Sequence, residues 1–198
     1  VQQRNRILTS PDGADPLWLD AIEAQMAESG AAIIEARARM LQSLAVQLDH
    51  APTDPFPVPA IILAMDGPVS ADDLKAHWRT TRRKDAGAGR TLTGPHRADL
   101  VVHNRANGQA ADRCSTGEQK ALMLSLILAH AALVSAQCGA PPILLLDEVA
   151  AHLDPDRRAA LFARLGETGA QVWMTGTEAA LFDAIGTAAH LVAVPGVG

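Results

Sequence analysis

Cysteine is scarce in this 198-residue chain: Cys114 and Cys138 are its two, with no C-x-x-C pair and no cluster with histidine at metal-ligand spacing. That argues against a structural zinc site and for a reduced intracellular setting. An excess of positive charge is missing as well. Seventeen Lys and Arg face 22 Asp and Glu, a formal net charge of -5, so any nucleic-acid contact has to come from a local basic patch. No long hydrophobic run is evident either. The most apolar stretch, residues 121–136, is shorter than the roughly 18 residues expected of a bilayer span, and His130 and two serines interrupt it, so a buried helix is expected. No secretory leader opens the chain, which starts at Val1 within the polar segment VQQRNR and reads as a trimmed or cut start.

What is present is a 48% hydrophobic content, enough for one large domain or one domain with an appendage. Trp18, Ile22 and Met26, then Ile33, the stem of Arg37, Leu41, Leu44 and Leu48, recur at helical steps and predict an almost continuous arm over 17–48, with Gly30 as its weak point or a break between two helices. The proline-rich segment APTDPFPVP, 51–59, predicts a linker or turn before a short strand at 61–65. Ser70, ahead of Asp73 and Leu74, has the form of an N-cap for a helix carrying Trp78. A basic, glycine-containing segment follows, RTTRRKDAGAGR. After it, TLTGPHRADLVVHNR reads as strand, turn and strand, with Asn107-Gly108 as a hairpin turn.

From Cys114 onward the pattern alternates. Ser115-Thr116-Gly117 opens a long apolar helix; a strand at 143–146, a helix at 155–165, a strand at 170–175, a helix at 178–185 and a strand at 191–194 follow. Such alternation predicts an α/β half-domain with a parallel sheet. No internal repeat is visible.

The strand at 143–146 runs straight into Asp147 and Glu148, with Asp154 after a short turn. Ligands of open α/β sheets sit beyond the carboxyl ends of strands. Adjacent acids on an extended segment point to opposite sides, so they divide the labour. Phosphoryl transfer fits this arrangement: one carboxylate for hydrated Mg²⁺, the next to orient or deprotonate the attacking water. Solvated acids at a strand end are the plainer alternative. The helix start STGEQ, 115–119, offers a hydroxyl and free backbone N–H groups to an anion, although serine also caps helices that bind nothing.

Taken in order, these motifs resemble the carboxyl-terminal half of an ABC-type ATPase head of the SMC-like branch, and within it the RecF family of bacterial recombinational repair ATPases. STGEQ is similar to the signature motif, ILLLDE to Walker B, AHLD to the D-loop and GPHR, 94–97, to a segment of that family; QRNRIL and the helical arm resemble its second lobe. The resemblance implies a helical arm with a small second-lobe segment over 1–90 and the carboxyl-terminal part of the ATPase head, with its parallel sheet, over 91–198. It implies ATP and Mg²⁺ as cofactors. Asp147 would hold the metal through water and Glu148 would polarise the hydrolytic water. Ser115, Gly117 and Gln119 would meet the γ-phosphate of ATP on the opposite subunit, with Asp154 at the dimer interface. It further implies an ATP-dependent homodimer on double-stranded DNA and single-/double-strand junctions, a RecR-type mediator, support of RecA loading at gaps, roles in replication, recombination and the SOS response, a cytoplasmic location and no membrane.

The sequence departs from that pattern in having no G-x-x-x-x-G-K-[ST] loop, the cradle for β- and γ-phosphates. The chain therefore reads as a fragment, inactive alone, or as part of a longer polypeptide; a non-catalytic module that binds DNA or a partner, and another SMC-like ATPase, are the alternative readings. MTGT, 174–177, stands where many transporters place a phosphate-sensing histidine; Thr175 or Thr177 can hydrogen-bond there without carrying charge. Ala98 stands where the family has an acid. Arg79, Arg82, Arg83 and Arg97 lie in a basic stretch with few acids, suited to DNA phosphates and equally to a solvated face. Trp18, Trp78 and Trp173 read as core residues.

Overall fold

The structure is a computed structural model and describes residues 1–10, 15–52 and 55–194. In chain order the elements are α1 (Gln2–Leu8), α2 (Pro16–His50), β1 (Pro59–Ala64), α3 (Ala71–Gly87), β2 (Asp99–Asn104), α4 (Thr116–Cys138), β3 (Leu144–Leu146), α5 (Pro155–Glu167) and β4 (Val172–Met174). β1 pairs with β2 and β3 with β4. Two compact units result: 1–42 with 61–101, and 43–60 with 102–198. The elements α2, β1 and β2 each pass from one unit into the other.

In the first unit α2 continues through Gly30 without a break. Its buried positions Leu19, Glu23, Ala27, Gly30 and Ile34 follow helical spacing. A Cβ on Gly30 would lie 3.2 Å from Leu74 Cδ1 and 3.4 Å from Pro95 Cγ. The glycine admits a close approach, and that packing outweighs its helix-propensity cost of about 1 kcal/mol. Ala27, Ile34, Leu74 and Trp78 form the core. Ser70 caps α3 as expected: its hydroxyl accepts from Asp73 N–H at 3.1 Å.

Arg4 is wholly buried in this unit. Its guanidinium donates to Glu23 at 2.8 Å, Asp85 at 2.9 Å, Thr91 Oγ1 at 2.7 Å and the Trp78 carbonyl at 2.9 Å. The same network explains a strand that does not form. Residues 91–93 are irregular because Thr91 N–H is taken by Asn5 Oδ1 at 2.9 Å and Leu92 N–H by Asp85 Oδ1 at 3.1 Å. At GPHR, Gly94 adopts φ 130° and ψ 179°, and Pro95–Arg97 forms a 3-10 turn. Asn107-Gly108 does lie in a hairpin turn, closed by an isolated antiparallel bridge between His103 and Ala110 in the second unit.

In the second unit β3 and β4 are parallel, in register Leu144 to Val172, Leu145 to Trp173 and Leu146 to Met174. Leu144 and Leu146 enter a core with Phe56, Ala121, Leu124, Leu161 and Phe162. Leu145 and Trp173 face outward, 77% and 57% exposed. Phe56 anchors the proline-rich segment, of which residues 53 and 54 lie outside the described residues. The Arg164 guanidinium stacks 4.9 Å above the Phe56 ring, and Ser125 Oγ donates to the Pro57 carbonyl at 2.9 Å.

α4 is 23 residues long, longer than the apolar run suggested, and meets the length and composition of a bilayer span. Ala121, Leu122, Leu124, Ser125, Ala129, Ala131 and Leu133 are nevertheless buried, the pattern of a core helix, and Gly139 ends it in the left-handed conformation at φ 71°. The helix expected at 178–185 is instead a 3-10 run, Ala179–Ala188, kinked at Gly186. The strand expected at 191–194 is irregular. Leu191, Val192 and Val194 are exposed there, and no strand among the described residues pairs with them.

Candidate functional site

The parallel ladder extends one residue past β4, where Thr175 N–H donates to the Leu146 carbonyl at 3.1 Å. That register sets the Thr175 side chain beside the acids that follow β3. Its hydroxyl donates to Asp147 Oδ1 and accepts from Glu148 N–H at 3.0 Å. Both acids are exposed. Glu148 departs from the extended backbone expected of it: with φ 49° it is the one non-glycine residue at positive φ among the described residues. Such a conformation costs about 1–2 kcal/mol for an L-residue. Its occurrence at one member of an ionisable pair is the kind of local strain that functional sites hold.

No group of three or more His, Cys, Asp or Glu among the described residues could hold a metal ion. The donor set still suits Mg²⁺, which takes one or two carboxylates and completes its octahedron with water and substrate phosphates. Asp147, with one oxygen bonded to Thr175 and the other without a protein partner among the described residues, matches that protein share.

A second group gathers at the amino end of α4. Ser115 forms a capping box with Glu118: its N–H and hydroxyl donate to Glu118 Oε2 at 3.0 and 2.7 Å, and Glu118 N–H donates to Ser115 Oγ at 3.3 Å. These bonds, the hydroxyl's first, hold the Glu118 carboxyl below its ordinary range, with Arg157 adding to the effect. Gln119 Nε2 donates to the Cys114 carbonyl at 3.0 Å. Asp154 caps α5, accepting from Arg157 N–H at 2.8 Å. Arg157 Nη1 lies 3.9 Å from where a Gly117 Cβ would stand. Sequence reasoning passed over Arg157, since a lone arginine in a helix carries no pattern; the fold brings it beside the signature-like turn. No hydrogen bond among the described residues joins this group to Asp147 or Glu148.

The basic residues separate into two kinds. Lys75, Arg79 and Arg83 recur at four-residue steps on α3 and are exposed, as is Arg97. Arg82 is different. Its guanidinium pairs with Glu23 and Asp20, both at 2.5 Å, and its side chain is 18% exposed. The bond to Glu23 is the main influence raising its pKa, and the bond from Arg82 is the main one lowering that of Asp20. Arg79 also approaches Asp20, at 3.6 Å. Arg82 thus braces α3 against α2, and acids that a reading of the basic stretch alone did not count meet it there.

No protein-family model matches the chain. Curated relatives do. A DNA replication and repair protein RecF of Rhizobium johnstonii is 49% identical over 98% of this chain and 54% of its own length. The protein of the same name from Brucella abortus is 50% identical over 93% of this chain and 50% of its own. The chain thus spans about half the length of the curated relatives it matches. Among solved structures, the recombination mediator protein RecF bound to ATP, from the RecFOR pathway, shares the fold with a TM-score of 0.75 at 24% identity, covering 89% of this chain and 49% of its own. A second structure of that mediator gives a TM-score of 0.74 at 25% identity. The order of motifs, the α/β fold around β3 and β4 and this level of identity agree: over the residues it spans, the chain is similar to the carboxyl-terminal portion of proteins named RecF.

Proposed function

We propose that this chain supplies the acid pair and the cross-subunit helix start of an ATP site in a DNA repair protein, and that ATP closes two copies on double-stranded DNA near single-strand gaps. The observation that carries this reading is the acid pair itself: Asp147 and Glu148, exposed at the carboxyl end of a parallel strand and gathered around one hydroxyl. Relatives named for DNA replication and repair, and a solved neighbour bound to ATP, support it.

In this reading Asp147 would hold Mg²⁺ through water, where the ion offsets negative charge on the β- and γ-phosphates. Glu148 orients the attacking water and draws off its proton. Ser115, Gly117 and Gln119 present a hydroxyl and the positive end of the α4 dipole to the γ-phosphate held by the other copy. The Glu118 carboxylate now bonded to Ser115 yields that hydroxyl as the copies close. Asp154 and Arg157 stand beside this turn at the interface. Arg79, Arg83 and Arg97 neutralise DNA phosphates without reading bases. A RecR-type mediator as partner and support of RecA loading belong to this reading through the resemblance to proteins named RecF. The missing phosphate loop has to come from outside this sequence, so the chain alone is expected to bind without turnover; a purely binding role is the second reading, favoured by that one absence.

The test uses the intact polypeptide. Glu148→Gln should stall hydrolysis and accumulate the ATP-bound dimer; Ser115→Arg should leave ATP binding intact and abolish dimerisation. Light scattering with and without ATP reads both. Normal dimerisation by Ser115→Arg would reduce STGEQ to a well-capped helix.

A further inference from the structure

We infer that Thr175 is a positioning residue for both acids, setting the Asp147 carboxylate and the Glu148 backbone through a single hydroxyl; this deepens the hydrolytic reading above and rests on it. A hydroxyl has one proton and two lone pairs. Here the proton goes to Asp147 Oδ1, and a lone pair receives the Glu148 N–H at 3.0 Å. The first bond fixes the rotation of the carboxylate and leaves its other oxygen for the waters of a cation. The second falls on the one non-glycine residue with a left-handed backbone, φ 49°, among the described residues. Satisfying that amide offsets the cost of the conformation, and the conformation decides where the Glu148 side chain leaves the chain.

The placement is built in from both ends. Thr175 is itself fixed by its N–H on the Leu146 carbonyl, so the ladder between β3 and β4 carries the hydroxyl to the acids. Thr177, two residues on, makes no such link among the described residues. A phosphate-sensing group needs a charge or a donor aimed at substrate, whereas a residue that holds two acids needs only a correctly placed neutral hydroxyl. Threonine meets that need, and serine would keep it. Valine, of the same shape, loses both bonds and leaves Glu148 N–H and Asp147 Oδ1 without a partner.

The experiment is run on the intact polypeptide with Mg²⁺ and ATP. Thr175→Val should lower kcat by about 10- to 100-fold with KM for ATP within about threefold, and Thr175→Ser should stay within about threefold in both. Amide hydrogen exchange at Glu148 should quicken in Thr175→Val and not in Thr175→Ser. In a Glu148→Gln background Thr175→Val should slow the residual turnover by a smaller factor than in the parent, since the share of its effect that passes through Glu148 is already lost and only the share through Asp147 remains. Full turnover by Glu148→Gln would overturn the hydrolytic reading itself. Loss of turnover by Glu148→Gln, with kcat and Glu148 exchange unchanged in Thr175→Val, would overturn the positioning role alone. An equal loss in Thr175→Ser and Thr175→Val would overturn it too, because the hydroxyl would then be irrelevant. If Thr175→Val does not fold, Thr175→Ala, which removes the hydroxyl without adding bulk, is held to the same outcomes.

Discussion

Replacing Arg4 by methionine isolates the worth of the buried charge network in the first unit. Arg4 has no exposed side-chain surface, and the carboxylates it meets, Glu23 and Asp85, are each 1% exposed. Removing one member of such a pair costs about 3–5 kcal/mol, because the abandoned charge stays buried. Both acids keep other donors: Glu23 retains Arg82, and Asp85 retains Thr81 Oγ1 at 3.0 Å and Leu92 N–H at 3.1 Å. The loss therefore falls at the lower end, about 3 kcal/mol, against a domain stability of about 5–15 kcal/mol. Urea unfolding of Arg4→Met and of the exposed control Arg6→Met reads the difference, with Arg6→Met within about 0.5 kcal/mol of the parent. Neutralising the acids as well, in Arg4→Met/Glu23→Gln/Asp85→Asn, should recover part of the loss, since the penalty belongs to unpaired charge and not to lost packing. A loss under about 1 kcal/mol in Arg4→Met, at unchanged m value, would refute the reasoning.

Three further outcomes follow from other sites. Gly94→Ala places a Cβ 2.9 Å from Trp78 Cζ2 in a backbone region open essentially to glycine, and should cost about 3 kcal/mol in thermal unfolding; Gly87→Ala, which meets nothing within 4 Å, should be neutral or slightly stabilising. Asp20 and Glu118 have carboxyl pKa values lowered in the fold, mainly by hydrogen bonds from Arg82 and Ser115, so their contribution is complete above the unfolded carboxylate range and is lost as pH falls through the lowered values. A melting temperature that rises on acidification below about pH 4 would contradict this. Arg79→Ala and Arg83→Ala should each make the salt dependence of duplex binding shallower by about 0.9 in log–log slope with the fold intact, whereas Arg82→Ala should show first as lost stability, since it strips Asp20 and Glu23 of a partner; identical slopes and stabilities in all three would refute the separation.

The sequence made local chemistry legible wherever a residue acts on its near neighbours. Ser70 and Ser115 cap the helices that follow them, and the apolar run before Asp147 forms a strand over Leu144–Leu146. It failed where partners are distant. The nearly continuous arm through Gly30 was legible, but the reason for a glycine there was not, because Leu74 and Pro95, which fill the space beside it, are remote in sequence. Residues 91–93 looked like a strand because nothing local shows that Asn5 and Asp85 capture their amides. The ion pairs of Arg82 were not legible either, because Asp20 and Glu23 lie far upstream of it. At the candidate site the acids and the helix start were readable as motifs, while Thr175 and Arg157 gain their meaning from tertiary contact.

The outward side of the β3–β4 ladder has a consequence for how this chain behaves as a solute. Leu145 and Trp173 are register partners standing side by side in water, and Ile143, 64% exposed, adjoins them. A parallel pair three residues long has open edges, and an apolar patch on its face invites a second sheet to stack on it. The net charge of -5 opposes such stacking most effectively at low ionic strength, because added salt shortens the reach of the repulsion. Salt should therefore drive the chain into aggregates that stack through this face, and Leu145→Lys or Trp173→Lys should keep it dispersed.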